Sequence, residues 1–367
     1  MILQTQNLGL PGNYYTDPQI FARELKTIWH RTWQLVGRQE TLAEPGDYLT
    51  YTLGEEPIFV VRDVDGSLKA MHNICPHRGA QLLEGQGHCD RHKITCPYHA
   101  WTYGLDGKLL GISKPKLFPN LDKSQIQLLP ARVETWGGFI FVNSDAQGES
   151  LKDYLAGMPA FLEQYDRDWM SLREVDRWFY DQPINWKLIV ENYVEDYHFE
   201  TVHTQGFGTV YDGDNIRSLP TGRHLRIEVP YTTDRGGEFF TSFSEAGKVS
   251  YQGYIFPNMM LNPHKNFLSV FHLIPLDAGH TRVEIIIYQS PEQFSGVPCQ
   301  SPQFRQGFDT LMEEDFSICR KIQTGIHSRA YQVAQLAEEH ELGISHFHNV
   351  LSEYLDLSGK LATIACN

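Results

Sequence analysis

The first regular pattern of apolar positions along the chain has the period of a helix. Apolar residues recur at helical spacing over residues 16–36, and Pro18 falls in the first turn, where proline is tolerated. Either Thr16 or Asp17 can cap the start of this segment. The spacing therefore predicts an amphipathic helix over 16–36. Its apolar positions are Phe21, Leu25, Ile28, Trp29 and Trp33.

Between Gly46 and Asn143 the apolar residues fall into short runs of strand length. These runs are rich in β-branched and aromatic residues, and Asp65-Gly66 forms a turn signal between two of them. They cover residues 49–53, 57–61, 68–72 and 138–142. The pattern predicts an all-β module, which a loop-rich stretch over residues 73–106 interrupts.

After Asn143 helical and strand-like patterns are mixed. Helices are predicted near residues 151–165, 186–203 and 304–326. Strand-like runs occupy residues 225–229, 251–256, 267–275 and 282–289. We therefore expect a small β domain that precedes, or is inserted into, a larger domain of the α+β class.

Composition places the chain among ordinary globular proteins. Its 367 residues suffice for about two domains, and 41% hydrophobic with 21% charged residues exclude a disordered or fibrous chain. A formal net charge of −14 argues against a nucleic-acid partner, because such binding needs a concentrated basic surface. Apolar runs of about 18 residues are missing, so no membrane association is expected.

Targeting and cysteine usage favour the cytoplasm. Residues 1–12 lack a basic end followed by an apolar block, so no secretory signal is expected. The six cysteines are too few and too scattered for a disulfide framework, which predicts a reducing, cytoplasmic location. The 16 histidines and the 12% aromatic content are unusual and point towards ligands and pockets.

Two pairs of potential metal ligands stand in the loop-rich stretch. Cys75 and His77 are separated by one residue, and Cys96 and His99 by two. A structural Cys2His2 zinc site uses the same atoms, but zinc fingers pair cysteine with cysteine and histidine with histidine in sequence. Mixed pairs fit a [2Fe–2S] cluster in which two cysteines hold one iron and two histidines hold the other.

The complete motifs around these pairs are CPHRGA and CPYHAW, which resemble the Rieske motif. Neutral imidazoles in place of two thiolates raise the reduction potential of such a cluster. His88, Cys89 and His92 lie between the two pairs, and we expect them on the loop surface without a role in the cluster.

A second group of polar residues begins in the predicted helix 186–203. Asn192, Glu195 and His198 recur every three residues, which would place them on one helix face. His203 follows, and it can converge on the same ion as His198 if the helix ends or kinks between them. A core or capped imidazole is the alternative for a lone histidine, but this polar face favours a metal site.

The helix predicted over 304–326 offers a third ligand. Its apolar stripe consists of Phe304, Phe308, Leu311, Ile318 and Ile322. Asp315 falls inside this stripe, whereas Glu313 and Glu314 are expected to point away from its centre. A carboxylate aimed at the core is costly unless it is paired or bound to a metal. A buried salt bridge to Arg305 or Arg320 is the alternative.

Two histidines and one carboxylate form the facial triad that holds non-haem Fe(II) and leaves positions open for O2 and substrate. We predict this triad to be His198, His203 and Asp315.

With these motifs and this predicted triad, the chain resembles the terminal oxygenase, or α subunit, of the Rieske non-haem iron oxygenases. The resemblance extends from the N-terminal helix through CPHRGA, CPYHAW and NWK-x3-ENY to the helix with Asp315. It implies three segments: an N-terminal helical segment over 1–44, an all-β Rieske domain over 45–145, and a catalytic domain over 146–367. The implied catalytic domain has the helix-grip, START-like fold with a large antiparallel sheet.

The resemblance also implies cofactors and partners. These are the Rieske [2Fe–2S] cluster, a mononuclear Fe(II), O2 as co-substrate, and NAD(P)H acting through a separate flavin or iron–sulfur reductase, with or without a ferredoxin. Family members assemble as homotrimers or higher rings in which the cluster of one subunit feeds the iron of its neighbour. A carboxylate bridges the two sites, and the matching residue here is Glu195, linking His198 to His99 of the next subunit. Asp196 is the alternative, about 100° round a helix.

Glutamate at the bridge, where ring-hydroxylating dioxygenases carry aspartate, resembles the branch of carnitine, choline and glycine-betaine oxygenases. The implied substrate is a small quaternary ammonium compound, hydroxylated beside nitrogen. An aromatic ring hydroxylase is one alternative, and a non-catalytic Rieske electron-transfer or zinc-binding protein is another. Pocket aromatics could serve a cation, an aromatic ring or the core. The expected pocket residues are Phe199, Val202, Tyr254, Phe256, Asn258, Phe267 and Phe271.

Overall fold

The computed structural model describes residues 8–164, 168–203, 211–231, 249–264, 267–290 and 299–355. This described chain divides into two units. The first, called here the cluster unit, is built from residues 28–154. The second, called the catalytic unit, contains the described residues before 28 and after 154. The α+β class is confirmed, and the predicted boundaries at 45 and 145 both fall inside the cluster unit.

The N-terminal region contains less helix than its apolar spacing predicts. Helix α1 spans Asn13–Thr16, helix α2 spans Pro18–Thr27, and a short 3-10 turn spans Trp29–Arg31. Strand β1 then covers Gln34–Arg38. The predicted helix over 16–36 is therefore wrong beyond Thr27, because pairing in a sheet outweighs the local helical period there.

Nine further strands follow β1 in the described part of the cluster unit. They are β2 Asp47–Leu53, β3 Glu56–Arg62, β4 Leu68–His72, β5 Gln86–His88, β6 Lys93–Thr95, β7 Thr102–Gly104, β8 Leu109–Gly111, β9 Pro130–Trp136 and β10 Phe139–Asn143. The four strand-like runs predicted from the sequence correspond to β2, β3, β4 and β10. Apolar residues of strand length thus locate these elements well.

The described strands of the cluster unit form two sheets. One has the order β1-β10-β9-β4-β3-β2-β5, and the other has the order β6-β7-β8. Strand β1 pairs antiparallel with β10, with Leu35 opposite Phe141, which explains why this unit begins before residue 45. Side chains such as Phe59, Met71 and Tyr103 pack into one core beneath the loops of the smaller sheet.

The remaining described elements are mixed. The helices are α3 Leu151–Leu155, α4 Met158–Leu162, α5 Trp186–Tyr193, α6 Phe199–Val202, α7 Pro302–Ile326 and α8 Leu342–Tyr354. The strands are β11 Arg173–Gln182, β12 Arg217–Thr221, β13 His224–Pro230, β14 Val249–Ile255, β15 Met259–Pro263, β16 Leu268–Asp277 and β17 His280–Gln289. All four strand-like runs predicted in this region correspond to strands, β13, β14, β16 and β17.

The described strands β11 to β17 form one antiparallel sheet in the order β11-β17-β16-β15-β14-β13-β12. Helix α7 packs against this sheet through aromatic contacts. The rings of Trp178 and Phe308 lie 5.5 Å apart between centroids, and those of Phe267 and Phe304 lie 5.2 Å apart. The N-terminal part of α7 thus packs on the sheet, while Gln323 near its C-terminal end accepts from the amide of Asn185 at the start of α5 at 2.8 Å.

The single helix predicted over 186–203 is wrong, because α5 ends at Tyr193 and only α6 resumes the helix. Gly343 at the start of α8 approaches the Val194 carbonyl so closely that a Cβ there would lie 2.0 Å from the oxygen. The Ser218 hydroxyl donates to the same carbonyl at 3.1 Å. The carbonyl that would continue the helix is thus taken by tertiary contacts.

A buried ion pair anchors α5 from its first turn. The Lys187 ammonium donates to Glu24 of α2 at 2.6 Å, and the Trp186 indole donates to the other oxygen of that carboxylate at 2.9 Å. One turn on, Glu191 accepts from the Tyr15 hydroxyl at 2.8 Å and lies 2.9 Å from His348 Nε2. Helix α5 is therefore held by polar contacts at its first turn and again at Glu191.

The described part of the chain contains no helix with both the length and the hydropathy needed to span a bilayer.

Glu24→Ala should destabilise the protein by about 3–5 kcal/mol, because it leaves the buried ammonium of Lys187 without its carboxylate. Denaturant unfolding followed by tryptophan fluorescence measures this loss. Lys26→Ala, an exposed change on the same helix, is the matched control and should stay within about 0.5 kcal/mol of the parent. Equal midpoints for the two variants would contradict the anchoring role of Glu24.

Candidate metal centres

The two loops that carry the mixed cysteine and histidine pairs share one backbone conformation. In each loop the cysteine carbonyl accepts from the amide four residues on: Gly79 to Cys75 at 2.9 Å and Ala100 to Cys96 at 3.0 Å. Each cysteine N–H donates to the carbonyl five residues on, at 2.8 Å in both loops. Gly79 and Ala100 both have positive φ, 71° and 54°. The two loops are therefore equivalent scaffolds that present a cysteine and a histidine.

Within this scaffold the cysteines and the histidines are segregated. Cys75 and Cys96 are 1% and 2% exposed in the core of the cluster unit, and the Cys75 sulfur lies 3.1 Å from the Tyr103 hydroxyl. His77 and His99 are half-buried at the rim, with ring centroids 4.7 Å apart. Nδ1 of His99 is buried and has no hydrogen-bond partner in the described chain. Such an orphaned nitrogen fits a metal ligand.

The same segregation favours a two-iron cluster over a single zinc ion at this site. A tetrahedral zinc needs all four ligand atoms around one point. Among the described residues, the ligand atoms that lie close enough together to bind one ion belong to His198, His203 and Asp315 in the catalytic unit. Cys75, His77, Cys96 and His99 do not form such a group. A cysteine pair beside a histidine pair is instead the ligand arrangement of a Rieske [2Fe–2S] cluster.

The three residues between the pairs differ in their surroundings. His88 is exposed and lies 2.9 Å from Asp47, and His92 is exposed. The expectation of a surface position is wrong for Cys89, which is 4% exposed in the hydrophobic core. Burial raises the pKa of the Cys89 thiol to about 11, so it stays protonated at neutral pH. A buried thiol packs here as a small apolar side chain.

In the catalytic unit the turn between α5 and α6 brings three of the predicted residues together. Nδ1 of His198 contacts the Glu195 carboxylate, and the His198 amide donates to Glu195 at 3.2 Å. The Asn192 amide nitrogen lies 3.4 Å from His198 Nε2. These contacts do not arise from a shared helix face, since the regular helix ends at Tyr193. The turn after α5, and not a continuous helix face, brings Asn192, Glu195 and His198 together.

Three of the predicted ligand atoms converge across α6 and α7. The Oδ1 atom of Asp315 lies 3.6 Å from His198 Nε2 and 3.1 Å from His203 Nε2. All three ligand atoms lie within 4.8 Å of one another. Helix α6 between the histidines is one short turn, which allows both imidazoles to face the same point.

The buried stripe of α7 is displaced from the one read off the sequence. It runs through Phe304, Phe308, Met312, Phe316 and Cys319. Ile322, expected inside the stripe, is 43% exposed, whereas Asp315 lies on the same face of α7 as Phe308 and Met312. The alternative salt bridge of Asp315 does not form, because Arg305 pairs with Asp309 and Arg320 with Glu313.

Glu314 is a residue whose contact with the site the sequence analysis missed. From the sequence it is expected away from the centre of the apolar stripe and without a partner, whereas its carboxylate lies 2.8 Å from Nδ1 of His203. Glu314 lies about 100° round α7 from Asp315, on the flank of the helix where His203 packs. The apolar stripe does not indicate this contact, because Met312 and Phe316 lie on the side of the stripe away from Glu314.

Each histidine of the triad is therefore bound by a carboxylate at Nδ1. An Nδ1–H that donates to Glu195 or Glu314 leaves Nε2 as the lone-pair nitrogen of a neutral ring. The Oδ1 atom of Asp315 has no hydrogen-bond partner in the described chain and is buried. Three electron-pair donors thus face one point, which fits a bound cation.

The protonation of the metal-free triad follows from the same contacts. Burial by itself would lower the pKa of His198, but the carboxylates of Asp315 and Glu195 outweigh it and raise that pKa to about 10. Asp315 likewise outweighs burial and raises the pKa of His203. The two imidazoles hold the pKa of Asp315 below its ordinary value in spite of its burial. A proton therefore competes with a metal for this site.

Glu195 and Asp196, the two candidates for the bridge, have different partners. Glu195 contacts the triad ligand His198, whereas Asp196 lies 2.8 Å from Nδ1 of His340. The rings of His340 and Tyr197 stack at 6.2 Å, and the Tyr197 side chain is largely exposed. The geometry connects Glu195, and not Asp196, to the metal site.

A cavity of about 1010 Å³, its open mouth included, adjoins the triad between α7 and the sheet. Of the expected pocket residues, Phe199 and Phe271 line it. The other five do not: Val202, Tyr254, Phe256, Asn258 and Phe267. Polar side chains that the sequence analysis missed take part in the wall. They are Ser218, Gln252, Asn262, His264 and Ser269.

Packing against helices explains why the aromatic residues outside the wall were misjudged. The rings of Tyr254 and Phe256 lie 5.9 Å and 6.4 Å from that of Phe347 in α8, and both side chains are fully buried. Phe267 precedes β16 and packs against Phe304 of α7. The Asn258 amide donates to the backbone of Leu273 at 2.8 Å. Sequence pattern identifies these residues as buried but not which buried space they face.

Two family profiles match the chain. The Rieske [2Fe-2S] domain matches residues 32–122, and the catalytic domain of the ring-hydroxylating α subunit matches residues 169–357. The first lies within the cluster unit, and the second covers the triad and the cavity. The cofactors are therefore a Rieske [2Fe–2S] cluster and a mononuclear iron, with O2 and with NAD(P)H acting through a reductase.

Curated relatives match over almost the whole chain. The carnitine monooxygenase oxygenase subunit of Escherichia coli K12 is 32% identical over 354 residues, which cover 94% of this chain and 93% of the relative. The chloroplastic choline monooxygenase of Spinacia oleracea is 28% identical over 357 residues, covering 94% of this chain and 78% of the relative.

Solved structures show the same architecture. The quaternary ammonium Rieske monooxygenase CntA superimposes with a TM-score of 0.84 at 28% identity, covering 95% of this chain and 96% of that one. Naphthalene 1,2-dioxygenase from Rhodococcus sp. superimposes with a TM-score of 0.74 at 19% identity, covering 96% and 95%, which shows the shared fold alone. On the profiles, the sequence identity and the fold together, this chain belongs to the α subunits of the Rieske non-haem iron oxygenases.

Proposed function

We propose that this chain is the oxygenase component of a Rieske system that hydroxylates a small quaternary ammonium compound beside its nitrogen, with N-demethylation or C–N cleavage as the result. The observation that carries this proposal is the composition of the cavity wall. Two carboxylates, Glu195 and Asp315, lie in it, and its described residues include neither lysine nor arginine. The charge of Asp315 would be taken up by the iron and that of Glu195 by His198, so the wall favours a cationic ligand because its described residues include no lysine or arginine to repel one.

Aromatic side chains add to this preference. Six aromatic residues line the described part of the cavity: Tyr193, Phe199, Tyr211, Phe271, Phe308 and Phe316. A quaternary ammonium has no N–H to donate, so it is recognised by ring faces and by shape. The similar proteins are named for carnitine and choline, and CntA has been solved in complex with γ-butyrobetaine and with L-carnitine.

We assign the metal ligands by the geometry described above. Cys75, His77, Cys96 and His99 would hold the cluster, and His198, His203 and Asp315 would hold the mononuclear iron. When bound, the iron activates O2 in its open positions and the cluster supplies electrons singly. The three ligands approach from α6 and α7 only, so the cavity side of the site stays accessible to substrate.

The remaining polar residues orient these ligands. Glu195 accepts a hydrogen bond from Nδ1–H of His198 and so fixes its tautomer, and the Asn192 amide nitrogen lies 3.4 Å from Nε2 of that ring. We propose that Glu195 also reaches His99 of a neighbouring subunit in a homotrimer or larger ring. The electron donor would be a flavin or iron–sulfur reductase, with or without a ferredoxin, and the enzyme would act in the cytoplasm.

The substrate class is tested by a coupled assay with a surrogate reductase. We expect formaldehyde or a hydroxylated product from one or more betaines, carnitine or choline, and none from simple aromatics. The neutral carbon isostere of the converted compound, with C(CH3)3 in place of N(CH3)3, should bind at least about tenfold more weakly, because it lacks the cation–π attraction. Turnover of a simple aromatic alone would instead support a ring hydroxylase and overturn the proposal.

Glu195→Gln should leave both metal sites loaded and lower turnover by about 100-fold, because an amide cannot take the proton of His198. Product yield and single-turnover reoxidation of the reduced cluster measure the effect. Asp196→Asn is the matched control, since its partner is His340, and it should stay within a few-fold of the parent. Parent-like reoxidation in Glu195→Gln would disprove the bridge.

Metal affinity of the mononuclear site should rise with pH. The pKa of His198 is raised to about 10 in the metal-free protein, so metal must displace a proton at every lower pH. For one displaced proton the affinity for Fe(II) or Co(II) should increase about tenfold per pH unit between about pH 7 and about pH 9. Chelator competition measures this, and the cluster absorbance checks integrity at each pH. A flat profile would contradict the raised pKa.

A further inference from the structure

We propose that Glu314 is the positioning residue of His203: it fixes the orientation and tautomer of the imidazole so that Nε2, and not a ring carbon, faces Asp315. This inference rests on the proposed function of His203 and Asp315 as metal ligands. It adds to the three proposed ligands a fourth residue, Glu314 of α7, which does not contact the metal itself.

Two consecutive residues of one helix hold the two nitrogens of one ring. The Glu314 carboxylate lies 2.8 Å from Nδ1 of His203, and the Asp315 carboxylate lies 3.1 Å from Nε2. Neighbouring residues of a helix point about 100° apart. The imidazole therefore lies across the surface of α7, between the two carboxylates, and a single helix sets both of its contacts.

The backbone around His203 does not fix the ring by itself. His203 follows the short helix α6, to which its amide is tied by a bond of 3.0 Å to the Phe199 carbonyl. A half-turn of the ring about Cβ–Cγ would exchange Nδ1 for a carbon at Glu314 and Nε2 for a carbon at Asp315. The hydrogen bond to Glu314 favours one of these two orientations over the other.

Burial makes this bond effective. The His203 side chain is 2% exposed, and the Phe199 ring packs against it with centroids 4.9 Å apart. Glu314 is 26% exposed, so its carboxylate keeps contact with water on one side while it holds the buried ring on the other. The desolvation cost of this carboxylate is small, and the hydrogen bond it accepts is shielded.

The arrangement repeats on the second histidine with a carboxylate from a different element. His198 has Glu195 at Nδ1, from the turn that follows α5, whereas His203 has Glu314, from α7. Both rings are thus oriented by a carboxylate behind them, in the manner of carboxylate–histidine–metal triads. The three consecutive acidic residues have different partners. Glu313 is 61% exposed and pairs with Arg320, whereas Glu314 and Asp315 contact the two nitrogens of His203.

The test uses the whole protein with its cluster intact and its mononuclear site emptied by a chelator. Fe(II) or Co(II) is returned and the dissociation constant is measured by chelator competition. Glu314→Ala should weaken binding by about 10- to 100-fold, and the isosteric Glu314→Gln, which keeps an acceptor, by less. Glu313→Gln makes the same chemical change one residue earlier and should bind within about twofold of the parent.

Two further readouts separate positioning from a structural role. The cluster absorbance and the unfolding temperature of the metal-free protein should be equal in Glu314→Gln and Glu313→Gln, while only the former loses metal affinity. If Glu314→Ala fails to fold, Glu314→Gln alone decides. Parent-like affinity in Glu314→Gln and Glu314→Ala would overturn the inference.

His203→Ala serves as the reference for the function on which the inference rests. It should lose the mononuclear metal outright. If His203→Ala loses metal and Glu314→Ala does not, the inference fails and the proposed ligand set stands. If His203→Ala binds metal as the parent does, the ligand set itself fails.

Discussion

Two imidazoles and one carboxylate share a point in the catalytic unit at which hydrogen bonding cannot satisfy all three. Because Nδ1 of each ring is hydrogen-bonded to a glutamate, Nε2 is the ring nitrogen that faces Asp315. It offers a lone pair to a metal, and the raised pKa of His198 means that a proton takes this place in the metal-free protein. Like electron pairs at 3–4 Å repel unless a proton or a cation lies between them. Helices α6 and α7 and the turn after α5 hold His198, His203 and Asp315 together against this repulsion.

That constraint explains where the catalytic unit places its buried polar contacts. Lys187 and Glu24 anchor α5 at its first turn, and Glu191 ties the next turn to Tyr15 and His348. At its other end α5 stops where Gly343 meets the Val194 carbonyl. Helix α5 is thereby fixed at both ends, so the turn that carries Glu195 starts from a defined place.

The sequence predicts the strands and the ligand motifs well, because apolar alternation and close ligand spacing are local properties. It fails where a distant contact decides. The break after Tyr193 depends on Gly343, which lies about 150 residues away along the chain. The contact of Glu314 depends on where the distant His203 packs beside α7, which the apolar stripe of α7 does not reveal. Burial of Tyr254 was predictable, but the helix it packs against was not.

The segregation of ligands in the cluster unit decides which atoms face an approaching partner. The sulfur atoms of Cys75 and Cys96 are enclosed in the apolar core, whereas the rings of His77 and His99 reach the rim. Any redox partner therefore meets an aromatic nitrogen edge first, and the thiolates stay insulated from water and oxidants behind it. The face that these two histidines present therefore exposes neither of the two sulfur atoms.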